Sequence, residues 1–244
     1  RIDELGGEPY EYPVIETRLP ASEEKREAVR AALARAESYD WLLFTSVNGV
    51  EYFFRWLGMC GLDVRRFHRA RVAAVGPKTA EELASRGIVP DVVPDRSFQA
   101  EGLFEAMREQ LRPGMRALLP RGDLARDWLP DELRRRGVEA VEIDVYETVP
   151  AAPRDDRLVE WLGQGRIHMV TFTSSSTVHN LIAALGKLGA ADPAGLLRKA
   201  DIACIGSVTA ETAASYGLDV QVVANPSTID GLVKAIVQYY TDKR

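Results

Sequence analysis

Long apolar runs are missing from this 244-residue chain. None approaches the roughly 18 residues that a membrane-spanning helix requires, so no membrane partner is expected. Cysteine is scarce: Cys60 and Cys204 stand far apart in apolar stretches, with no CxxC spacing. They read as buried thiols of a reducing compartment, which points to the cytoplasm. A basic excess is missing as well, and a net charge of −5 argues against a general nucleic-acid binder. It leaves room for an anionic ligand, because local arginines and helix N-termini can outweigh the global sign. The common catalytic signatures are absent: no Gly-x-Gly-x-x-Gly, no Walker-type loop, no Gly-x-Ser-x-Gly and no His-Glu-x-x-His. His68, His168 and His179 have no ligand-like spacing, so no metal site is expected.

What the chain does have is a repeat. Leu43-Phe44-Thr45-Ser46-Val47-Asn48-Gly49-Val50 is echoed by Val170-Thr171-Phe172-Thr173-Ser174-Ser175-Ser176-Thr177-Val178. Val72-Ala73-Ala74-Val75-Gly76-Pro77-Lys78-Thr79-Ala80-Glu81 is echoed by Ile202-Ala203-Cys204-Ile205-Gly206-Ser207-Val208-Thr209-Ala210-Glu211. The offsets barely drift: 128 residues from Ser46 to Ser174, and 130 from Thr79 to Thr209 and from Gly87 to Gly217. In each copy a β-rich apolar run stops at small hydroxyl residues or glycine and then opens a helical pattern. That is a strand followed by a helix N-terminus, where free N–H groups and a partial positive charge gather. Two similar lobes, each with two such edges, suggest a ligand gripped between them.

Periodicity and turn residues predict strands at 10–15, 41–45, 71–75, 89–93, 116–119, 138–148, 168–173, 202–205 and 220–223. Helices are expected at 23–36, 49–57, 79–86, 100–111, 128–136, 156–162, 177–185, 209–216 and 229–240. Alternation of this kind predicts an α/β fold of two similar lobes, each a parallel sheet flanked by helices and joined by a two-stranded linker. Proline-bearing segments at 17–20 and 149–153 read as the linkers. They leave 20–150 as one continuous lobe and 1–17 with 154–244 as the other. Ile2 and Leu5 before Gly6-Gly7 read as the end of a helix. The strand that precedes the matching helix in the other copy has no counterpart before Arg1, so about 15 further residues upstream are expected.

In parallel sheets of this kind, ligands bind beyond the carboxyl ends of the strands. Thr45-Ser46, Thr79, Ser174-Ser175 and Thr209 all fall there. Each has an alternative reading as a simple helix cap. Together they could form a carboxylate-binding surface of hydroxyls and free N–H groups. Glu81 and Glu211 recur at matching positions, but one turn into a helix a carboxylate simply complements the dipole.

These residues resemble the uroporphyrinogen-III synthase family over essentially the whole chain. The resemblance is carried by Leu43-Phe44-Thr45-Ser46 with Val50 and Phe53, Val75-Gly76 with Thr79-Ala80, and Leu119-Pro120-Arg121-Gly122 with Arg126 and Leu129. Val145-Tyr146-Glu147-Thr148, Phe172-Thr173-Ser174, Ile205-Gly206, Thr209-Ala210 and the stretch from Ala224 to Gly231-Leu232 continue it. The family's first strand, with its Thr-Arg-Pro stretch, has no match here.

The resemblance implies a monomeric lyase that closes linear hydroxymethylbilane to uroporphyrinogen III, inverting the last pyrrole ring and losing water. It implies no cofactor and no metal, with a transient handover of substrate from the preceding pathway enzyme. Tyr146 matches the family tyrosine that assists hydroxyl departure or holds the leaving group, although an ordinary packed strand tyrosine is the alternative. Arg121, Arg126 and Lys78 are the candidate cations for the substrate's eight carboxylates. Gly76, Gly122 and Gly206 belong to the same motifs. A different class also fits such a duplicated fold: a non-catalytic two-lobed binding or sensor module.

Overall fold

The computed structural model describes residues 1–152 and 157–243. Pro153, the last linker residue expected from the sequence, lies outside the described residues. So do Arg154, the expected start of a lobe, and Asp156, the expected start of a helix.

The chain forms two compact units: Thr17–Val149, and Arg1–Glu16 together with Pro150–Arg244. The continuous unit runs β1 (Ile15–Arg18), α1 (Glu23–Ala34), β2 (Trp41–Phe44), α2 (Val47–Met59), β3 (Arg71–Ala74) and α3 (Pro77–Ser85). It continues with α4 (Ala100–Met107), β4 (Arg116–Gly122), α5 (Trp128–Arg135) and β5 (Glu139–Pro150). The split unit adds α6 (Arg157–Gly163), β6 (Met169–Phe172), α7 (Ser175–Lys187), α8 (Pro193–Leu197), β7 (Asp201–Cys204), α9 (Ser207–Ser215), β8 (Val222–Val223) and α10 (Ile229–Asp242). The chain passes between units twice, once inside β1 and once at the end of β5.

Among the described residues the sheet orders are β1-β5-β4-β2-β3 and β6-β7-β8. β5, β4, β2 and β3 pair in parallel, as do β6, β7 and β8. Every residue of β2 is buried, as expected for a strand covered on both faces. Its side chains divide with period two. Leu42 and Phe44 join Val72, Ala74 and Leu118 against Leu33 of α1, Val50, Phe53 and Trp56 of α2, and Leu83 of α3. Trp41 and Leu43 join Ala73, Ala117 and Leu119 against Leu103 and Met107 of α4 and Leu129 and Leu133 of α5. The split unit repeats this layering, with Phe172, Ile202 and Cys204 facing Leu181, Leu185 and Ala213, and Ala203 and Val222 facing Leu232.

The structure corrects several sequence expectations. The strand expected at 10–15 is instead β1, Ile15–Arg18. Pro13 has no N–H to give a ladder, so the regular strand starts beyond it. The strand expected at 89–93 reduces to a single bridge between Ala73 and Val92, because Pro90 and Pro94 flank the pairing residues. Helices α2, α3, α7 and α9 each open two residues earlier than expected. Ser46, Gly76, Ser174 and Gly206 are therefore the N-cap residues. The short helix α8, begun by Asp192 and Pro193, was not expected. The glycine stop near the start does appear: a 3-10 turn over Asp3–Leu5 ends at Gly6, whose φ is 82°.

Candidate functional site

In the continuous unit, β5, β4, β2 and β3 present their carboxyl ends along one sheet edge, and the candidate residues follow in that order. Tyr146 lies on β5, Arg121 and Gly122 end β4, Thr45 and Ser46 follow β2, and Gly76, Lys78 and Thr79 follow β3.

Ser46 is a true cap. Its backbone is extended, and its Oγ accepts the Gly49 N–H at 2.9 Å. Gly49 is needed for close approach, since a Cβ there would stand 2.9 Å from the Pro120 carbonyl oxygen. At the next strand, Gly76 caps α3 and Pro77 takes the first helical position, where its missing N–H costs nothing. Thr79 is then the third helical residue, only 4% exposed. A cap residue stands outside the helix, so the alternative reading of Thr79 as a cap does not hold, and the cap position belongs to Gly76. Lys78 is exposed beside it.

Tyr146 owes its place to a β-bulge. Arg121 pairs with Asp144 and Gly122 pairs with Tyr146, so Val145 is the extra residue. The buried carbonyl of Val145 accepts the Trp56 indole N–H at 2.9 Å, which meets the need of a buried acceptor. The Tyr146 ring leans on Tyr52, with centroids 5.2 Å apart, and Tyr52 Oη donates to Thr17 Oγ1 at 3.1 Å. A Cβ at Gly122 would stand 2.5 Å from the Tyr146 ring and 2.8 Å from its hydroxyl. Only glycine leaves the ring where it is. The following loop is tied to the same strand: Asp123 N–H donates to the Tyr146 carbonyl at 3.2 Å, and its carboxylate accepts Thr148 N–H at 2.9 Å.

The charges beside Tyr146 are paired. Arg18 hydrogen-bonds Glu147 at 2.7 Å and holds that carboxyl below its ordinary range. Lys25 bonds Asp144 at 2.8 Å, which raises the lysine. Arg121 is also committed. Its side chain, 11% exposed, pairs with Asp127 at 2.6 Å and with Glu142, and it donates to the Ala125 carbonyl at 3.0 Å. That pattern clamps the 122–127 loop. Arg126 meets Glu101 at 3.2 Å on the surface, a pair that a competing anion can exchange at little cost.

The split unit has its own edge. Ser174 caps α7 in a capping box with Thr177, each side chain 3.3 Å from the other's backbone N–H. Ser175 ties α7 to α9, donating to the Val208 carbonyl at 3.4 Å and accepting from Thr212 Oγ1 at 2.8 Å. Gly206 caps α9, and Thr209, 4% exposed, occupies the third helical position as Thr79 does.

Sequence reasoning singled out neither Trp56, Tyr52 nor Asp123 for the site. Only the fold shows that the buried Trp56 indole of α2 turns its N–H to the bulge. Among the described residues, no cluster of three or more His, Cys, Asp or Glu side chains is placed to hold a metal ion. No helix of the described chain is long and apolar enough to cross a membrane.

The profile of the family described as uroporphyrinogen-III synthase HemD matches residues 1–234. A uroporphyrinogen-III synthase of Synechococcus elongatus is 32% identical over 236 residues, covering 96% of this chain and 87% of that protein. A porphyrin biosynthesis protein HemD of Ruminiclostridium josui is 30% identical over 238 residues, 98% of this chain; the chain spans 45% of that protein's length. In fold, the chain is similar to a crystal structure of a mutant uroporphyrinogen III synthase from the extremely thermophilic bacterium Thermus thermophilus. The TM-score is 0.56 at 24% identity, over 99% of this chain and 92% of that one.

Proposed function

This chain belongs to the uroporphyrinogen-III synthase family, enzymes that cyclise hydroxymethylbilane, and on that premise we propose that it is itself such a lyase. The observation that carries the reading is the seat of Tyr146: a bulge places its ring on Gly122, at the carboxyl edge of a parallel sheet.

Hydroxymethylbilane loses its hydroxyl readily, because a pyrrole nitrogen lone pair pushes it out to leave an electrophilic azafulvene. Tyr146 Oη–H donates a hydrogen bond to the oxygen as the C–O bond breaks. An unperturbed tyrosine is a weak acid, so hydrogen bonding suits it better than full proton transfer. The departing hydroxide takes up a proton and leaves as water. The proton that the terminal ring gives up on regaining aromaticity balances it. Left alone, the chain closes to the wrong isomer, so the harder task is holding the terminal ring for attack through a spiro intermediate. That task asks for many contacts to eight carboxylates and few dedicated acids or bases.

Thr45, Ser46, Gly76, Lys78, Thr79 and Arg126 of one unit supply such contacts, with Ser174, Ser175, Gly206 and Thr209 of the other. Gly122 and Arg121 serve by holding Tyr146 and its loop. The protein works as a monomer in the cytoplasm, receiving its substrate from the preceding pathway enzyme.

The test is direct. The protein is incubated with freshly made hydroxymethylbilane, the products are oxidised and the isomers separated. Type III product above the spontaneous background supports the reading. Type I alone, at the spontaneous rate, returns the chain to the class of two-lobed binding modules.

A further inference from the structure

The two glycine caps are roofed by the same piece of backbone in the two units. In the continuous unit, Gln99 N–H bonds the Ser97 carbonyl at 2.8 Å just before α4. In the split unit, Thr228 N–H bonds the Pro226 carbonyl at 2.8 Å just before α10. A Cβ at Gly102 would meet the Ser97 carbonyl oxygen at 1.9 Å, and one at Gly231 would meet that of Pro226 at 2.1 Å. The residue in the middle of each turn lies over a cap: Phe98 Cβ is 3.0 Å from a Cβ built on Gly76, and Ser227 Oγ is 2.7 Å from one built on Gly206. Both caps have extended backbone, which any residue adopts, so glycine serves there to admit the roof.

The roofs differ in chemistry. Over Gly206 the roof is the exposed hydroxyl of Ser227. Phe98 offers a ring that is 52% exposed, over the Gly76 cap at the start of α3. Phe98 is held there at a cost, since Ser97 is the non-glycine residue with positive φ (56°) among the described residues. Single exposed rings are common, but a backbone outlier that holds one over the Gly76 cap points to an apolar ligand face that covers it.

We propose that Phe98 is a substrate-contact residue that packs against a pyrrole ring of the tetrapyrrole. This rests on the functional reading above. A pyrrole ring offers the flat apolar face that an exposed phenyl ring can cover.

The experiment compares Phe98→Ala and Phe98→Tyr with the unaltered protein on fresh hydroxymethylbilane, with melting temperature measured alongside. Phe98→Ala should lower kcat/KM about tenfold, chiefly through KM, while Phe98→Tyr, which keeps the ring, stays within about twofold. Melting temperatures close to the unaltered protein are expected, because the truncated ring is half exposed. Equal loss in both variants, or no loss in Phe98→Ala while the unaltered protein makes type III product, overturns the contact alone. Failure of the unaltered protein to make type III product overturns the functional reading and the contact with it.

Discussion

Replacing Gly122 by alanine is the sharpest test of how Tyr146 is held. The new methyl carbon would stand 2.5 Å from Tyr146 Cζ, 2.6 Å from Cε2 and 2.8 Å from Oη. Carbon atoms in contact settle at about 3.5–4.0 Å, so the ring tip must retreat by roughly 1 Å. The tip of a tyrosine is the free end of a side chain, and rotating it off its preferred angle costs about 0.5–1.5 kcal/mol. Against that, removing a glycine from a strand position with ordinary backbone stabilises by about 0.4–1 kcal/mol through the unfolded state. The two nearly cancel, so stability should stay within about 1 kcal/mol of the parent. Activity should not, because a 1 Å misplacement of a reacting group costs on the order of 100-fold. Tyr146→Phe alone should lower type III formation by about one to two orders of magnitude. If both changes act through the same hydroxyl, the double variant loses little more than either single one. Stopped-time isomer assays on the four proteins, with denaturant melts, give the cycle. Strict additivity, or a Gly122→Ala enzyme within twofold of the parent, would refute the assignment of Tyr146 to the chemistry.

The buried threonines separate fold from function. Thr79→Val and Thr209→Val remove a hydroxyl with little change of shape, and each should weaken turnover by about 0.5–1.5 kcal/mol while melting temperature holds; lower melting with intact saturated kinetics would assign both to the fold. Cys204 makes a pH-dependent contribution: burial pushes its thiol up to about 11. The folded state therefore holds a proton that the unfolded state releases above its ordinary value, and this stability is full below that value and lost as pH rises towards 11. Between pH 9 and 11 the parent should lose about 2 kcal/mol more than Cys204→Ala; parallel stability curves for the two proteins would show that the thiol does not titrate this way.

The duplicated strands and helices were legible because each carries its own pattern: Trp41-Leu42-Leu43-Phe44 is a run that only a strand buried on both faces accommodates. Proline decided the two strand misses. Pro13 moved the first strand along the chain, and Pro90 with Pro94 left Val92 as a lone bridge, effects weighted too lightly against β-branched composition. Within the site, the strand-to-helix junctions were legible and their roles were not. Ser46 and Ser174 do cap their helices, whereas Thr79 and Thr209 stand one turn too deep to do so. The bulge at Val145 left no mark in the alternating 138–148 pattern. It is defined by a register shift against β4 and by an indole 89 positions earlier in the chain, and neither is a local property.

The discontinuity of the split unit has a consequence for synthesis on the ribosome. Tyr12 and Val14 pack with Leu158, Leu162 and Phe172, yet the whole of Thr17–Val149 is translated between them. At about 5–20 residues per second, the early segment waits on the order of ten seconds for its partners. Over that interval the continuous unit can emerge and fold, while Val14 stays unprotected. Ribosome-stalled chains ending shortly after the continuous unit has left the exit tunnel should therefore resist protease across 17–149 and be cut before Ile15; protection at both places would mean that the first segment finds cover early.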